Sequence, residues 1–154
     1  MQTLADHLSP EHVVWLESED KNAALGRLLA LLCSSSSVRD PKSLEQAILS
    51  REVMMSTGVG YGIALPHAKI PTVEKFLLAL GIAPAGIAYG SLVDDQPVKL
   101  ICMIAGPEGR NAEYLKLLAS LMKFIKSEKG LILNATHPDE VRRYAASYEV
   151  PNGS

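Results

Sequence analysis

The chain reads as an α/β domain, a mixed and mostly parallel sheet with helices on both faces in an α/β/α sandwich. Three observations predict it. Segments with apolar residues at three- and four-residue intervals alternate with short apolar runs. The two strongest runs, 75–83 and 97–106, are apolar at most positions, as strands covered on both faces are. With 47% hydrophobic and 21% charged residues, 154 residues suffice for one domain around one core, which we place over 1–148 with 149–154 as a frayed tail.

Val13 to Leu16 form a short β-prone run. The polar cluster after it offers Ser18 or Asp20 as the cap of a helix through Leu32, in which Leu25, Leu28, Leu29 and Leu32 make one apolar face. Four serines at 34–37 end that helix. Asp40 and Pro41 supply the N-cap and first residue of the next, patterned through Leu44, Ala47, Ile48 and Val53, so Arg51 lies near its C-terminal end. The strand over 75–83 is followed by a short extended piece with a turn at 86–96. The strand over 97–106 comes next, closed by Gly106 and Pro107. Leu115, Leu118, Leu121, Met122 and Ile125 then fall at helical spacing over 111–126. A final helix is predicted from Pro138 to about Ser147, with Thr136 as its cap and acidic residues in its first turn.

Net charge is −2 and the fifteen Lys and Arg residues are scattered, so the sequence carries no footprint for nucleic acid or an anionic membrane. The longest apolar stretch, Phe76 to Tyr89, is broken by Gly81, Pro84 and Gly86 and is too short to span a bilayer. The N-terminus lacks the basic and apolar blocks of a secretory signal, so a cytoplasmic protein without direct membrane insertion is expected. Cys33 and Cys102 sit inside apolar patterns and read as buried free thiols. His7, His12 and His137 have no partner at metal-ligand spacing, and neither metal nor cofactor is implied.

The segment "STGVGYGIALPHAK" (56–69) carries Gly58, Gly60 and Gly62 and then one of the chain's four histidines, His67. The spacing fails the dinucleotide fingerprint and the nucleoside triphosphate loop alike, and no Gly-x-Ser-x-Gly elbow marks a hydrolase. Alternate glycines fit an extended segment approached closely by something else, or a bulged edge strand. His67 retains its own nucleophilicity. A neutral imidazole nitrogen attacks phosphorus, and the phosphoramidate it forms passes the group on readily. Such transfer asks mainly for positioning and for donors to the phosphoryl oxygens. Backbone N–H groups freed by small residues would meet that need together with one arginine fork. Arg51 is the candidate, its other reading being a solvated partner of the helix dipole.

These residues resemble a known family. Glu52, six positions, Val59-Gly60, two positions and then "IALPHA" match the active-site signature of the fructose/mannitol-type enzyme IIA domains of the bacterial phosphotransferase system. The resemblance extends upstream to "LSREVMMSTGVG" and downstream to "DDQPVKLICMIAGP". It implies an α/β sandwich and a phosphocarrier that accepts its phosphoryl group on His67 from a histidine phosphocarrier protein. It places Arg51 at the phosphate-stabilising position and gives Thr57, Gly58, Gly60 and Gly62 as phosphoryl-binding candidates. The group would pass either to a permease domain of fructose or mannitol type, or serve a regulatory target, as in the stand-alone nitrogen-related branch. The reading favoured is the regulatory one. A homodimer is left open.

One position departs from the family pattern. Where many members carry a second histidine at the start of the following helix, "EYLKLL" puts Tyr114. A phenol donates a hydrogen bond but takes up no proton at neutral pH. Asn111 and Glu113 are nearby, as helix cap and first-turn residues or as alternatives to the missing histidine, and a binding module with impaired transfer is a further reading. Met54, Met55 and Tyr61 either border a docking surface or pack inside. Which ring nitrogen of His67 reacts depends on the hydrogen bond that the other one makes.

Overall fold

A computed structural model describes residues 2–17, 20–90 and 93–151. Two short 3-10 turns, Leu4–His7 and Pro10–His12, lead into β1 (Val13–Trp15), α1 (Lys21–Cys33) and α2 (Pro41–Met54). Three short strands follow, β2 (Gly58–Gly60), β3 (Ile63–Ala64) and β4 (His67–Ile70), then β5 (Leu77–Ile87), β6 (Val98–Pro107), α3 (Asn111–Asn134) and α4 (Pro138–Ala145). The helices start where capping chemistry places them. The Asp20 carboxylate accepts the Ala23 N–H at 2.8 Å, and Asp40 accepts the Ser43 N–H with Pro41 as the first helical residue. Ser18, the other cap candidate, lies outside the described residues.

The sheet has six strands in the order β1-β5-β6-β3-β2, with β4 also on β6. β1 runs parallel to β5, and β3 and β4 run parallel to β6, while β5 with β6 and β2 with β3 are antiparallel. Side chains on the long central strands alternate between two cores, as the two-residue period of a pleated strand demands. Leu78, Leu80, Leu100, Cys102 and Ile104 face α3 and α4, whereas Ala79, Ile101, Met103 and Ala105 face α1 and α2. The sandwich predicted by the alternating patterns is thus the fold observed. Among the described residues no helix is long and apolar enough to cross a membrane. Cys102 is buried and Cys33 half-buried, both as free thiols, and burial raises the Cys102 pKa to about 12.

Several boundaries differ from expectation. β5 continues through Pro84 to Ile87 after a register shift, taking in the start of the segment expected to be separate; Ser91 and Leu92 of that segment lie outside the described residues. α3 runs to Asn134 rather than 126. Gly130 falls on its open side, where a Cβ would meet nothing, and the buried pattern resumes at Ile132. α4 ends at Ala145, and its cap is His137, whose Nδ1 accepts the Asp139 N–H at 3.1 Å. Thr136 instead gives its N–H and hydroxyl to Glu140. The tail expected to fray from 149 is tied down at its start: Glu149 bridges Thr3, and the buried Val150 donates its N–H to the Gln2 carbonyl. Residues 152–154 lie outside the described residues.

Gly106 is where a side chain would do most damage, since a Cβ there would stand 2.1 Å from Cδ1 of Phe76. Phe76 in turn packs 6.1 Å from the Tyr114 ring. Gly106→Ala is expected to cost about 1–3 kcal/mol, the usual penalty of overpacking a core, read by denaturant unfolding.

Candidate functional site

β3 and β4 occupy one edge of β6 in a single register, Ala64 opposite Ile101 and His67 opposite Ile104, with Leu65 and Pro66 between them. Pro66 has no N–H to offer the ladder, but its carbonyl accepts the Ile104 N–H at 2.9 Å, so the break does not shift the pairing. The Leu65 carbonyl, on the side away from β6, lies 2.8 Å from Nδ1 of His67. A carbonyl only accepts, so Nδ1 carries the proton and Nε2 holds the lone pair. Arg51 Nη1 stands 3.4 Å from Nε2, and a guanidinium only donates, which assigns the same tautomer from the other side.

Arg51 reaches this position from the last turn of α2, where its charge also suits the helix dipole. Arg51, Ser56, Thr57, Leu65, His67 and Tyr114 are among the residues lining a cavity of about 280 Å³. Met55 lines it as well and is 63% exposed, next to Val53 and Met54, which are more exposed still. These apolar side chains are exposed, so the packing alternative for Met54 and Met55 does not hold.

Glu52 sits behind the cavity. It faces inward from α2, its side chain 4% exposed, and it accepts from the Thr57 N–H at 3.1 Å, the Thr57 hydroxyl, and the Tyr89 hydroxyl at 2.7 Å. Lys21 Nζ, at 2.8 Å, supplies the counter-charge and lies over the Tyr89 ring. Burial works to raise the Glu52 pKa. The hydrogen bonds from Lys21, Thr57 and Tyr89, with the Lys21 charge, outweigh it and hold the carboxyl below its ordinary value. The one sequence signal for this anchor is the place of Glu52 as the first residue of the signature.

Tyr114, in the first turns of α3, forms the opposite wall, its ring 6.0 Å from that of His67. Burial raises its pKa against the pull of the Arg51 charge, so the phenol is a neutral donor at physiological pH. Lys69, two residues along β4 on the face of His67, holds its ammonium 4.2 Å from the Tyr114 ring centroid and 3.0 Å from Asn111 Oδ1. Asn111 is thereby used, and Glu113 pairs with Arg110 at 3.7 Å.

The glycines do not join this group. Gly60 and Gly62 have φ of 88° and 74° and make the turn between β2 and β3, with Tyr61 between them at 59°. The turn lies against Val93, Asp94 and Lys129: the Tyr61 N–H goes to Asp94 Oδ2, and Lys129 binds the Tyr61 carbonyl. Gly58 belongs to β2, an edge strand with a register shift, and gives its N–H to Ser56 Oγ. The cradle of glycine N–H groups expected around His67 is therefore absent among these three residues, because they shape the hairpin. Thr57 lines the cavity, but its N–H and hydroxyl are committed to Glu52.

Residues 6–147 match the protein family described as "Phosphoenolpyruvate-dependent sugar phosphotransferase system, EIIA 2". A phosphotransferase-system fructose-specific EIIABC component of Bacillus subtilis is 37% identical over 114 residues, which cover 74% of this chain and 18% of that longer protein. A nitrogen regulatory protein of Bradyrhizobium diazoefficiens is 31% identical over 126 residues, 81% of each chain. Among solved structures, the nitrogen regulatory protein IIA-Ntr of Neisseria meningitidis superposes with a TM-score of 0.81 at 26% identity, covering 92% of this chain and 97% of that one.

The buried anchor has a pH signature. Because the folded-state pKa of Glu52 is depressed, its contribution is fully present above the ordinary carboxylate value and is lost as pH falls through the lower folded one. Glu52→Gln is expected to lose about 1–3 kcal/mol at pH 7. In urea unfolding, its deficit against the unsubstituted protein should shrink progressively below about pH 4.5.

Proposed function

The chain belongs to the EIIA 2 family of the phosphoenolpyruvate-dependent sugar phosphotransferase system, and from that premise we propose that it is a phosphocarrier holding its phosphoryl group on Nε2 of His67. The observation that carries this reading is the fixed tautomer: Nδ1–H on the Leu65 carbonyl, and a lone pair at Nε2 facing Arg51 in an open cavity. That lone pair attacks phosphorus on the phosphohistidine of a histidine phosphocarrier protein. The new P–N bond forms as the donor's breaks, and the Nδ1 proton stays where it is, stabilised on the Leu65 oxygen as the ring becomes positive. Arg51 supplies charge and donors to the phosphoryl oxygens.

No proton has to leave the ring in this step, so no second base is required. Tyr114 in place of a second histidine then serves as a neutral donor at the wall, and the transfer-impaired reading loses its motive. The exposed apolar side chains of Val53, Met54 and Met55, the last at the cavity, would meet the phosphocarrier protein. For the onward step we favour a cytoplasmic regulatory role, supported by the match to a nitrogen regulatory protein that extends over 81% of both chains. The alternative, delivery to a fructose- or mannitol-type permease, is supported by the 37% identity to the fructose-specific component.

Incubation with phosphoenolpyruvate and the upstream phosphocarrier proteins should give an acid-labile, alkali-stable adduct that is absent in His67→Ala; no adduct on the unsubstituted protein would overturn the proposal. Tyr114→His should leave the transfer rate within a factor of about three, less than one hydrogen bond's worth. A gain beyond that would mean that the step needs a proton acceptor which the phenol does not supply.

A further inference from the structure

Ser56 and Thr57 both line the His67 cavity, but only one of them has a hydroxyl proton to give. Thr57 Oγ1 is committed to Glu52, with Tyr89 OH 3.0 Å away. Ser56 Oγ accepts the Gly58 N–H at 3.2 Å, and among the described residues its own proton has no acceptor. The loop that carries it is held at three points. The Thr57 N–H is fixed to the buried Glu52, the Thr57 carbonyl accepts the Leu65 N–H at 3.0 Å, and Ser56 is tied to Gly58 of β2. Leu65 is the residue whose carbonyl also fixes His67, so the loop and the imidazole are registered to the same backbone unit.

We propose that Ser56 donates a hydrogen bond from Oγ to an oxygen of the phosphoryl group on His67, and that Glu52 is a positioning residue acting on it through Thr57. The inference rests on the carrier reading and adds a contact to it. Ser56 neither gains nor loses a proton, and the bonds made and broken remain the two P–N bonds. Glu52 removes Thr57 as a competing donor, which leaves Ser56 as the donor hydroxyl of the 56–57 loop in the cavity that Arg51 and Tyr114 also line.

A donor to a charged oxygen stabilises the phosphorylated form relative to the free one, so the readout is an equilibrium. The protein is mixed with the phosphorylated histidine phosphocarrier protein, and the ratio of phosphorylated to free His67 is taken by phosphorus NMR and intact mass. Ser56→Ala should lower that ratio by about tenfold, and Ser56→Thr, which keeps the hydroxyl, should restore it. Glu52→Gln should show a comparable loss, and the double variant Glu52→Gln/Ser56→Ala no more than the larger single loss, because the two act through one contact. A Ser56→Ala ratio equal to that of the unsubstituted protein overturns the Ser56 contact while leaving the carrier intact. Additive losses overturn the positioning role of Glu52. Failure of the unsubstituted protein to take phosphoryl on His67 at all overturns the carrier reading, and this inference with it.

Discussion

The hydrogen bond from Nδ1 of His67 to the Leu65 carbonyl, 2.8 Å long, is the constraint on which the site depends. It fixes the tautomer, the ring plane and the direction of the Nε2 lone pair in one contact. Strand alternation sets it up: Pro66 turns its carbonyl to the Ile104 N–H of β6. Leu65, one residue earlier, turns its N–H to the Thr57 carbonyl and its own carbonyl to His67, on the side away from β6. The register of β3 and β4 on β6 survives, so the imidazole is mounted on the central sheet rather than on a loose loop. Rigid mounting matters for phosphoryl transfer, where little covalent help is needed and placement supplies most of the effect.

Around that contact, charge is sorted by burial. The buried carboxylate of Glu52 faces away from the cavity and is satisfied by Lys21, Thr57 and Tyr89, so the negative charge nearest the site is neutralised where it sits. Arg51, one residue earlier on α2, points to the open side and leaves positive charge beside Nε2. Neighbouring positions on one helix thus point apart: Glu52 holds the 56–58 loop and Arg51 faces the cavity. Lys69 and Tyr114 complete the far wall, a cation over a neutral ring.

Local chemistry made much of this legible in the sequence. Asp20, and Asp40 with Pro41, start their helices as capping predicts, and the apolar run at 97–106 is the central strand. The structure brings His67 and Arg51 together, and a histidine after Gly-rich sequence, an arginine at a helix end and the family signature all point to that pair. What escaped depends on distance along the chain. Glu52 looks like any polar residue on an amphipathic helix until Lys21 and Tyr89 are brought to it by the fold. Ser56 has no periodic signal at all. The glycines misled because a positive φ in a hairpin turn and a phosphate cradle ask for the same residue type, and only the contacts with Val93, Asp94 and Lys129 separate the two. The end of α3 was hidden for a related reason: glycine reads as a stop, and at position 130 it lies on an open face.

The central claim is that Nε2, not Nδ1, is the reactive nitrogen because Leu65 holds the other. Long-range proton–nitrogen NMR on protein labelled with nitrogen-15 histidine, before and after phosphorylation, tests it most directly. The account predicts a protonated Nδ1 in both states and phosphorus coupled to Nε2 of His67 in the second. Phosphorus on Nδ1, or a free protein with its proton on Nε2, would contradict it.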